Sequence, residues 1–380
     1  MLGFLRGRKA AARRATWLLC AAVASVLVTG AGLGATPARA YVPGPTVYQP
    51  GATTANAPEL TESGGAQYLA YDDLSAGVVH TMLLNGSYGE AADWHLGSAG
   101  THYGSGPSIS SVAGQGVVTA WTGPDGHIYI AYLTSRGYVC TTDLAYWIQD
   151  QTNFIPAGIT TDTPWLSTEG PDGAGTLFLT WVDTSTNHLY VSVVIPPEIT
   201  NCGPTDGFYV QEGGTTSMGT DTSWSGPAFI TTGYSGTSGA AGERYWLMWA
   251  GTNSAHNLNI AEYTGNLNAF SGKFTRVAKS TEASHATLTD VGAAYSPAAN
   301  EIVMAYCGTN DDVYYQDFTP GTGGGSEVPV GNGAQCNVNT TVSGGVTYYS
   351  GGVGVDYDYS SRQLVIAWAQ RGSNQVSIIP

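Results

Sequence analysis

The stretch Leu177-Phe178-Leu179-Thr180-Trp181 shows the pattern that decides the fold, a short apolar strand ending in an aromatic residue. A polar turn and a second, alternating strand follow it, and the whole arrangement recurs along the chain. The six copies end at Tyr71, Trp121, Trp181, Trp249, Tyr306 and Trp368. Successive aromatics lie 50, 60, 68, 57 and 62 residues apart. Periods of this size are typical of propeller blades and similar repeat arrays.

Each repeat contains the elements of a four-stranded antiparallel sheet. The first strand often follows a proline, as in Pro164-Trp165-Leu166, and the aromatic-ended strand is second. A turn containing Gly, Asn or Asp leads to an alternating third strand such as 127–132, and a less regular fourth strand such as 274–277 closes the unit. Four strands per unit is the topology of a propeller blade. We therefore predict an all-β protein with a six-bladed β-propeller, and keep a β-sandwich as the structural alternative.

The last repeat is too short to complete its own blade. After Trp368 there is room only for a third strand at 376–379 before the chain ends at Pro380. Residues 42–50 precede the first repeat and belong to no unit. Because an open sheet edge invites aggregation, we expect this N-terminal segment to supply a strand that closes the last blade. The predicted division is a closing segment at 41–56 and a propeller domain at 57–380.

The first forty residues resemble a secretory signal peptide in their order of parts. A basic start, which includes the pair Arg13-Arg14, precedes an apolar stretch at 17–28. The small-residue sequence Ala38-Arg39-Ala40 then precedes Tyr41. This order predicts a signal peptide at 1–40 and a secreted protein. The arginine pair leaves twin-arginine export open beside the general route.

The charge of the chain excludes several classes of partner. The formal net charge is −15, and six of the thirteen Lys and Arg residues lie in the first forty positions, where no Asp or Glu occurs. Residues 41–380 therefore carry a formal charge of −21. Such a surface repels nucleic-acid phosphates and anionic membranes. We expect a monomer that binds neither of them and whose ligands are neutral or basic.

Four cysteines remain after the predicted signal peptide. An even number of cysteines in an exported chain favours disulfides over free thiols. Cys140 and Cys202 occupy comparable places in adjacent repeats, whereas Cys307 and Cys336 lie in one repeat. We predict the pairings Cys140–Cys202 and Cys307–Cys336.

The fourth repeat carries a recognisable variant of the pattern. Its sequence Trp249-Ala250-Gly251-Thr252-Asn253, followed by Leu258-Asn259-Ile260-Ala261 and by Phe274, resembles the W-x-G-x-D … L-N-V-A … F blade repeats of bacterial secreted β-propeller proteins. Sialidase-like and lectin-like proteins belong to that group. The resemblance covers 57–380 as a repeat pattern and implies the propeller fold. Because one fold hosts many activities, it says little about function.

The sialidase-like alternative does not fit the residues present. Those enzymes use an arginine triad and a Tyr–Glu nucleophile pair, and the resemblance would require both here. Only five arginines follow the predicted signal peptide, and Arg276 falls on a predicted outer strand. The turn S-x-D-x-G-x-x-W is absent. The sequence also lacks a complete G-x-S-x-G elbow and an H-E-x-x-H motif, so we predict no catalytic residue.

Metal and cofactor motifs are similarly weak. His95 and His102 lie seven residues apart in a predicted loop, a spacing that we interpret as two surface histidines rather than a metal pair. Asp72-Asp73 and Asp311-Asp312 offer the hard oxygen atoms that calcium prefers, but neither pair fits a known loop spacing. We predict no metal site and no cofactor, with calcium as the only candidate.

The propeller geometry suggests where a ligand would bind. Turns between second and third strands lie on the same face as the links from one blade to the next, and loops on a rigid scaffold carry function. Sugars suit such a face because their C–H surfaces stack on aromatic rings and their hydroxyls pair with Asp and Asn. The predicted ligand-binding residues on this face are Asp72, Asp125, Trp165, Asp183, Trp224, Asn253, His256 and Asp311.

Backbone geometry and packing offer another explanation for the same residues. Turns select Asp, Asn and Gly for conformational reasons alone, and Trp165 and Trp224 would also serve to seal neighbouring blades. The repeated residues Trp121, Trp181, Trp249 and Trp368 end buried strands, so we assign them to the core.

Two functions remain open at this point. The first is a secreted, non-catalytic protein that recognises carbohydrate or cell-wall polysaccharide through one face of the propeller. The alternative is a secreted glycoside hydrolase, which needs two carboxylates about 5–9.5 Å apart in a central pocket. Asp72 or Asp73 with Asp183 or Asp356 are the candidate pairs. Two acids converging in a deep central pocket, one with a raised pKa, would favour the enzyme, whereas shallow pockets between blades would favour the lectin.

Overall fold

The computed structural model describes residues 44–380 with breaks at 45, 75–76, 103, 113–115, 135–136, 138, 145–159, 170–174, 196–208, 234–242, 267–272, 321–322 and 344–345. The regular secondary structure of the described residues is entirely β-strand. No helix that could cross a membrane occurs among them. The predicted signal peptide at 1–40 lies outside the described residues.

Four blades are complete antiparallel sheets whose strands follow one another in chain order. Blade 1 contains β1 (Glu59–Ser63), β2 (Ala66–Asp72), β3 (Val78–Leu84) and β4 (Glu90–Gly100). Blade 2 contains β5 (Ser108–Val112), β6 (Gly116–Thr122), β7 (Ile128–Thr134) and β8 (Val139–Asp143). Blade 3 contains β9 (Trp165–Thr168), β10 (Leu177–Val182), β11 (His188–Ile195) and β12 (Tyr209–Thr222). Blade 4 contains β13 (Ala228–Thr232), β14 (Arg244–Ala250), β15 (Asn257–Asn266) and β16 (Lys273–Ala286).

The last two blades depart from this regular plan. Blade 5 contains β17 (Gly292–Ser296), β18 (Glu301–Cys307) and β19 (Val313–Thr319), and its outer position is divided between β20 (Gly323–Gly324) and β21 (Val328–Pro329). A separate hairpin of β22 (Asn339–Ser343) and β23 (Val346–Ser350) follows. Blade 6 contains β24 (Val353–Asp358), β25 (Gln363–Ala369) and β26 (Val376–Ile379). The sequence did not predict the hairpin or the divided strand.

The six blades form a closed ring, as predicted. The first strand of each blade contacts the first strand of the next, and β24 of blade 6 contacts β1 of blade 1. The N-terminal segment lies beside β26, where Tyr48 and Ile378 exchange two backbone hydrogen bonds. Gly44 donates a further backbone hydrogen bond to Pro380. These contacts confirm the prediction that the N-terminal segment closes the last blade.

The core consists of apolar layers between successive blades. One large cluster joins blades 3, 4 and 5, and smaller clusters fill the other junctions. The six aromatic residues that end the second strands are all buried, which confirms the assignment of the repeated tryptophans to packing. Since each tryptophan is a large apolar side chain removed from water, these residues contribute strongly to the cohesion of neighbouring blades.

Two glycines allow the first strands to meet near the centre of the ring. A Cβ atom at Gly292 would overlap the backbone carbonyl of Val353, and one at Gly354 would overlap that of Pro58. Each glycine therefore permits a backbone-to-backbone approach that no other residue tolerates.

One predicted disulfide is confirmed. Cys307 and Cys336 are bonded, with their Cα atoms 5.9 Å apart, and the bond joins the end of β18 to the segment that leads towards blade 6. The second predicted pairing involves Cys202, which lies outside the described residues, so Cys140–Cys202 stays a prediction.

Candidate functional site

The turns between second and third strands lie on one side of the ring, together with the links between blades. We call this side the turn face; its turns are 73–77, 123–127, 183–187, 251–256, 308–312 and 370–375. All six turns follow the buried aromatic-ended strands, so they are held by the core below them. Seven of the eight predicted ligand-binding residues lie in these turns, at their edges or in an adjacent link, whereas Trp165 begins strand β9.

Several turn residues accept hydrogen bonds from backbone N–H groups of their own turn. Asp125 accepts from the backbone N–H of His127, Asp183 from that of Ser185 and Asn253 from that of Asn257. Burial by itself would raise the pKa of Asp125 and of Asp183. These and neighbouring hydrogen bonds outweigh it and lower both pKa values below the ordinary value of aspartate. Both carboxylates are therefore ionised at neutral pH and already serve a turn. Their residue types are explained by local backbone geometry.

Asp311 is paired across a blade junction. Its carboxylate lies 2.9 Å from the guanidinium of Arg371, which belongs to the corresponding turn of blade 6. The arginine side chain is half exposed, so the pair adds little stability. It does fix the relative position of two neighbouring turns.

The surroundings of Asp72 indicate a structural role. It is only 5% exposed, and its carboxylate oxygens accept hydrogen bonds from Thr54, Asn56 and Thr101. Burial raises the pKa of Asp72, while the three hydrogen bonds oppose the rise. The residue ties the N-terminal closing segment to blade 1 and presents no free oxygen to a ligand above the turn face.

Trp165 also serves packing. It is 6% exposed, and its indole N–H donates to the backbone carbonyl of Phe229 in the next blade, at 3.1 Å. A ring enclosed in this way offers no face for stacking on the turn face. Trp165 seals the junction of blades 3 and 4, which is the alternative that the sequence left open.

Trp224 is an exposed aromatic residue on the turn face. It is 43% exposed, and its backbone N–H is held by the carbonyl of Ala250. Its ring lies 6.3 Å from the imidazole of His256. Asn253 lies exposed in the same turn as His256. The buried Nδ1 atom of His256 has no hydrogen-bond partner among the described residues. We call Trp224, Asn253 and His256 the aromatic patch.

A central cavity lies on the axis of the ring and is walled by the first strands of all six blades. Its volume is about 350 Å³. The lining continues to the ends of those strands, at Thr168, Gly233, Pro297 and Tyr359, which are on the side opposite the turn face. Three carboxylates belong to the lining: Glu59, Glu62 and Asp356.

The cavity carboxylates are electrostatically coupled. Burial raises the pKa of Glu59 well above its ordinary value, and the charge of Asp356 adds to the rise. Burial likewise raises the pKa of Asp356, with a contribution from Glu62. Oε1 of Glu59 accepts from the backbone N–H groups of Leu60 and Val355. A raised pKa is a property that a carboxyl group needs to act as a general acid.

The sequence identified only part of this acidic site. Asp356 was one of the acids considered for a central pocket, and it does line the cavity. Asp72, a predicted partner of Asp356, and Asp183, the predicted alternative to Asp356, lie on the turn face instead, at the end of β2 and in the turn after β10. The partners that the structure supplies are Glu59 and Glu62. Their signal was Glu59 in the segment Pro58-Glu59-Leu60, which was predicted to begin the first strand of blade 1, with Glu62 two residues further along.

Comparison with known proteins supports the fold. No protein-family model matches the chain, and no curated protein does. A crystal structure of AofleA from Arthrobotrys oligospora is similar over 87% of this chain and 84% of its own, with a TM-score of 0.54 and 9% identity. The fucose-recognising six-bladed β-propeller lectin of Aleuria aurantia is similar over 84% of this chain and 89% of its own, with a TM-score of 0.51 and 9% identity. At such identities the likeness establishes the six-bladed propeller alone.

Proposed function

We propose that this protein is a secreted carbohydrate-binding protein that takes a neutral or basic glycan on the aromatic patch of the turn face. The observation that carries the proposal is the half-exposed ring of Trp224 on a rigid, closed scaffold. Its backbone N–H donates to the carbonyl of Ala250, which restrains the main chain that carries the ring. A preorganised aromatic surface loses little entropy when a ligand stacks on it.

The groups around Trp224 supply the polar half of a sugar site. Asn253 and His256 lie in the neighbouring turn, and the hydroxyls of Thr222 and Thr252 meet 2.7 Å apart beside it. Amide, imidazole and hydroxyl groups both donate and accept hydrogen bonds, as sugar hydroxyls do. The excess of acidic residues makes anionic sugars poor ligands. Similarity to a fucose-recognising propeller lectin agrees with carbohydrate as the ligand class.

Binding to an array of neutral, basic and anionic glycans tests this proposal, followed by calorimetry with the best ligand. Trp224→Ala should weaken binding at least tenfold, because stacking on one aromatic side chain and its buried area are lost. The control is Val277→Ala, which removes an even more exposed apolar side chain from the outer strand β16. Equal affinity of Trp224→Ala and the parent would refute the aromatic patch as the site.

The secretion part of the proposal has its own test. Expression of the full chain in a bacterial host with both export routes, followed by N-terminal sequencing of the exported protein, should give Tyr41 as the first residue. Retention of residues 1–40 on the exported protein would contradict the assignment of a signal peptide.

The central cavity supports glycoside hydrolysis as a second candidate function. Its acids Glu59, Glu62 and Asp356 converge on one pocket, and two of them have raised pKa values. That is the combination expected of a paired-carboxylate site. The cavity acids lie on the ring axis and share no residue with the aromatic patch, so the two candidate functions are separable by mutation.

A panel of polysaccharides and aryl glycosides, assayed for released sugar, tests the hydrolase candidate. If the cavity is catalytic, Asp356→Asn and Glu62→Gln should each reduce turnover by two orders of magnitude or more, while Glu90→Gln on the exposed start of β4 should have no effect. Absence of turnover on the whole panel, together with glycan binding that depends on Trp224, would leave the binding function alone.

A further inference from the structure

A cluster of two histidines and one aspartate lies in blade 1, away from both candidate sugar sites. His80 is in β3, and Asp93 and His95 are in the neighbouring β4. The strand register places His80 directly opposite His95. Since alternate residues of a strand share a face, Asp93 lies on the same face as His95. One potential ligand atom from each side chain lies within 4.8 Å of the other two.

The contacts within the cluster leave ligand capacity unused. Oδ2 of Asp93 lies 2.8 Å from Nδ1 of His80 and accepts from the hydroxyl of Tyr71. Oδ1 of Asp93 is buried and has no hydrogen-bond partner among the described residues. A buried carboxylate oxygen without a partner is costly. A bound cation would satisfy it.

The surroundings hold the cluster in place on one side and leave it open on the other. His80 is buried and stacks on Tyr71 with ring centroids 4.8 Å apart. The ring of His95 meets that of His80 edge-on at 4.3 Å. His95 itself is exposed on the outer strand. The cluster therefore combines a fixed half, His80 and Asp93, with a half that solvent and ions can reach.

We propose that His80, Asp93 and His95 form a binding site for a divalent transition metal, for which Zn²⁺ is the natural probe. Two imidazoles and one carboxylate are ligands that zinc accepts at about 2.0–2.2 Å, with water in the fourth position. Ligand atoms around tetrahedral zinc are about 3.3 Å apart at these bond lengths. A change of side-chain rotamer is large enough to bring the ligand atoms to this spacing, and the exposed His95 is the residue that would make it.

The site would link β3 to the outer strand β4 and so stabilise the edge of blade 1. It does not use His102, which the sequence analysis interpreted together with His95 as two surface histidines, because the residue opposite His95 is His80 on the neighbouring strand. The proposal does not depend on the carbohydrate function.

Isothermal titration of ZnCl₂ into the untagged, EDTA-treated chain tests the proposal. We expect one zinc ion per chain, and an increase in Tm of a few degrees on addition of the metal. His95→Ala and Asp93→Asn should each weaken binding at least tenfold, whereas the control His102→Ala should bind like the parent. Cobalt absorption in place of zinc should show a tetrahedral spectrum that His95→Ala loses.

Three outcomes would overturn the assignment. The parent could bind no zinc at 1 mM metal, His95→Ala could bind like the parent, or His102→Ala could lose binding to the same degree as His95→Ala. Because His95 is exposed, the variant should retain the parent Tm in EDTA. A fall in that Tm would move the test to Asp93→Asn, which keeps the size of the side chain.

Discussion

Replacement of Asp290 by Asn should make the free energy of unfolding less dependent on pH. Asp290 is 6% exposed in the link that enters blade 5. Its Oδ1 accepts from the backbone N–H of Gly226 at 2.7 Å, and its Oδ2 lies in a short hydrogen bond with the hydroxyl of Thr163. Burial raises the pKa of Asp290 to about 7. Burial and the charge of Asp290 raise the pKa of the neighbouring Asp162 to about 8.

The direction of the effect follows from proton linkage. Between pH 4 and 7 the folded chain keeps the proton of Asp290 while the unfolded chain releases it, so the free energy of unfolding decreases as pH rises. One such group contributes a slope of about 1.4 kcal/mol per pH unit. For Asp290 the stabilisation is fully present below pH 4, and about 4 kcal/mol is lost as pH rises through 7.

An asparagine reproduces the neutral acid at this position. Its carbonyl oxygen accepts from Gly226 and its amide donates to the hydroxyl of Thr163, with no charge to bury at high pH. The assay is urea unfolding followed by tryptophan fluorescence at pH 5, 6, 7 and 8. We expect Asp290→Asn to have a slope smaller than that of the parent by about 1.4 kcal/mol per pH unit between pH 5 and 7.

The control is Asp183→Asn, in an exposed turn. Hydrogen bonds there lower the pKa of the carboxylate against the opposing effect of burial. The contribution of Asp183 to the free energy of unfolding is lost only as pH falls below the ordinary range of aspartate pKa values. Its profile between pH 5 and 8 should therefore run parallel to that of the parent. A parallel profile for Asp290→Asn as well would refute the linkage argument, because Asp290 would then titrate alike in the folded and unfolded chains.

Three further predictions concern the ring itself. Trp249→Ala should lower the free energy of unfolding by about 3–5 kcal/mol, because it opens a cavity between blades; chemical denaturation measures the loss, and a change below 1 kcal/mol would contradict the assigned packing. Substitution of both Cys307 and Cys336 by Ser should cost about 3–4 kcal/mol, since the bond closes a loop of 29 residues in the unfolded chain, with the reduced parent as comparison in the same denaturation assay. A chain that begins at Ala57 should expose the edge of β26 and self-associate; light scattering would show this, and a stable monomer would refute a closing role for the N-terminal segment.

The repeat pattern predicted most of the fold because it reports burial. Residues such as Trp181 and Trp249 mark the same buried place in every blade, so their spacing alone indicated the number of blades. The missing strand after Trp368 indicated how the ring closes. The hairpin β22–β23 was missed although its sequence places Thr, Val and Tyr on both sides of a Gly-Gly turn signal. It lies between two repeats and belongs to no unit of the pattern on which the prediction depended.

The candidate sites were less accessible to sequence reasoning. The turn residues were located correctly, but the same residue types serve turn geometry, and only the structure distinguishes the exposed Trp224 from the buried Trp165. The glutamates of β1 were missed because a sequence does not state which strand faces the axis. The partner of His95 was missed because cross-strand register appears only once the strands are paired.

The pairing of Tyr48 with Ile378 has a consequence for the order in which the chain can assemble. A ribosome makes residue 48 long before residue 378, so the closing segment has no partner until the last blade has been synthesised. Blades 1 to 5 can form from local hairpins as they emerge, but the final blade requires a contact across almost the whole chain length. Such a non-local step is slow. Until it occurs, the nascent protein is an open arc with one unprotected edge at each end, and that interval is when it most needs a chaperone.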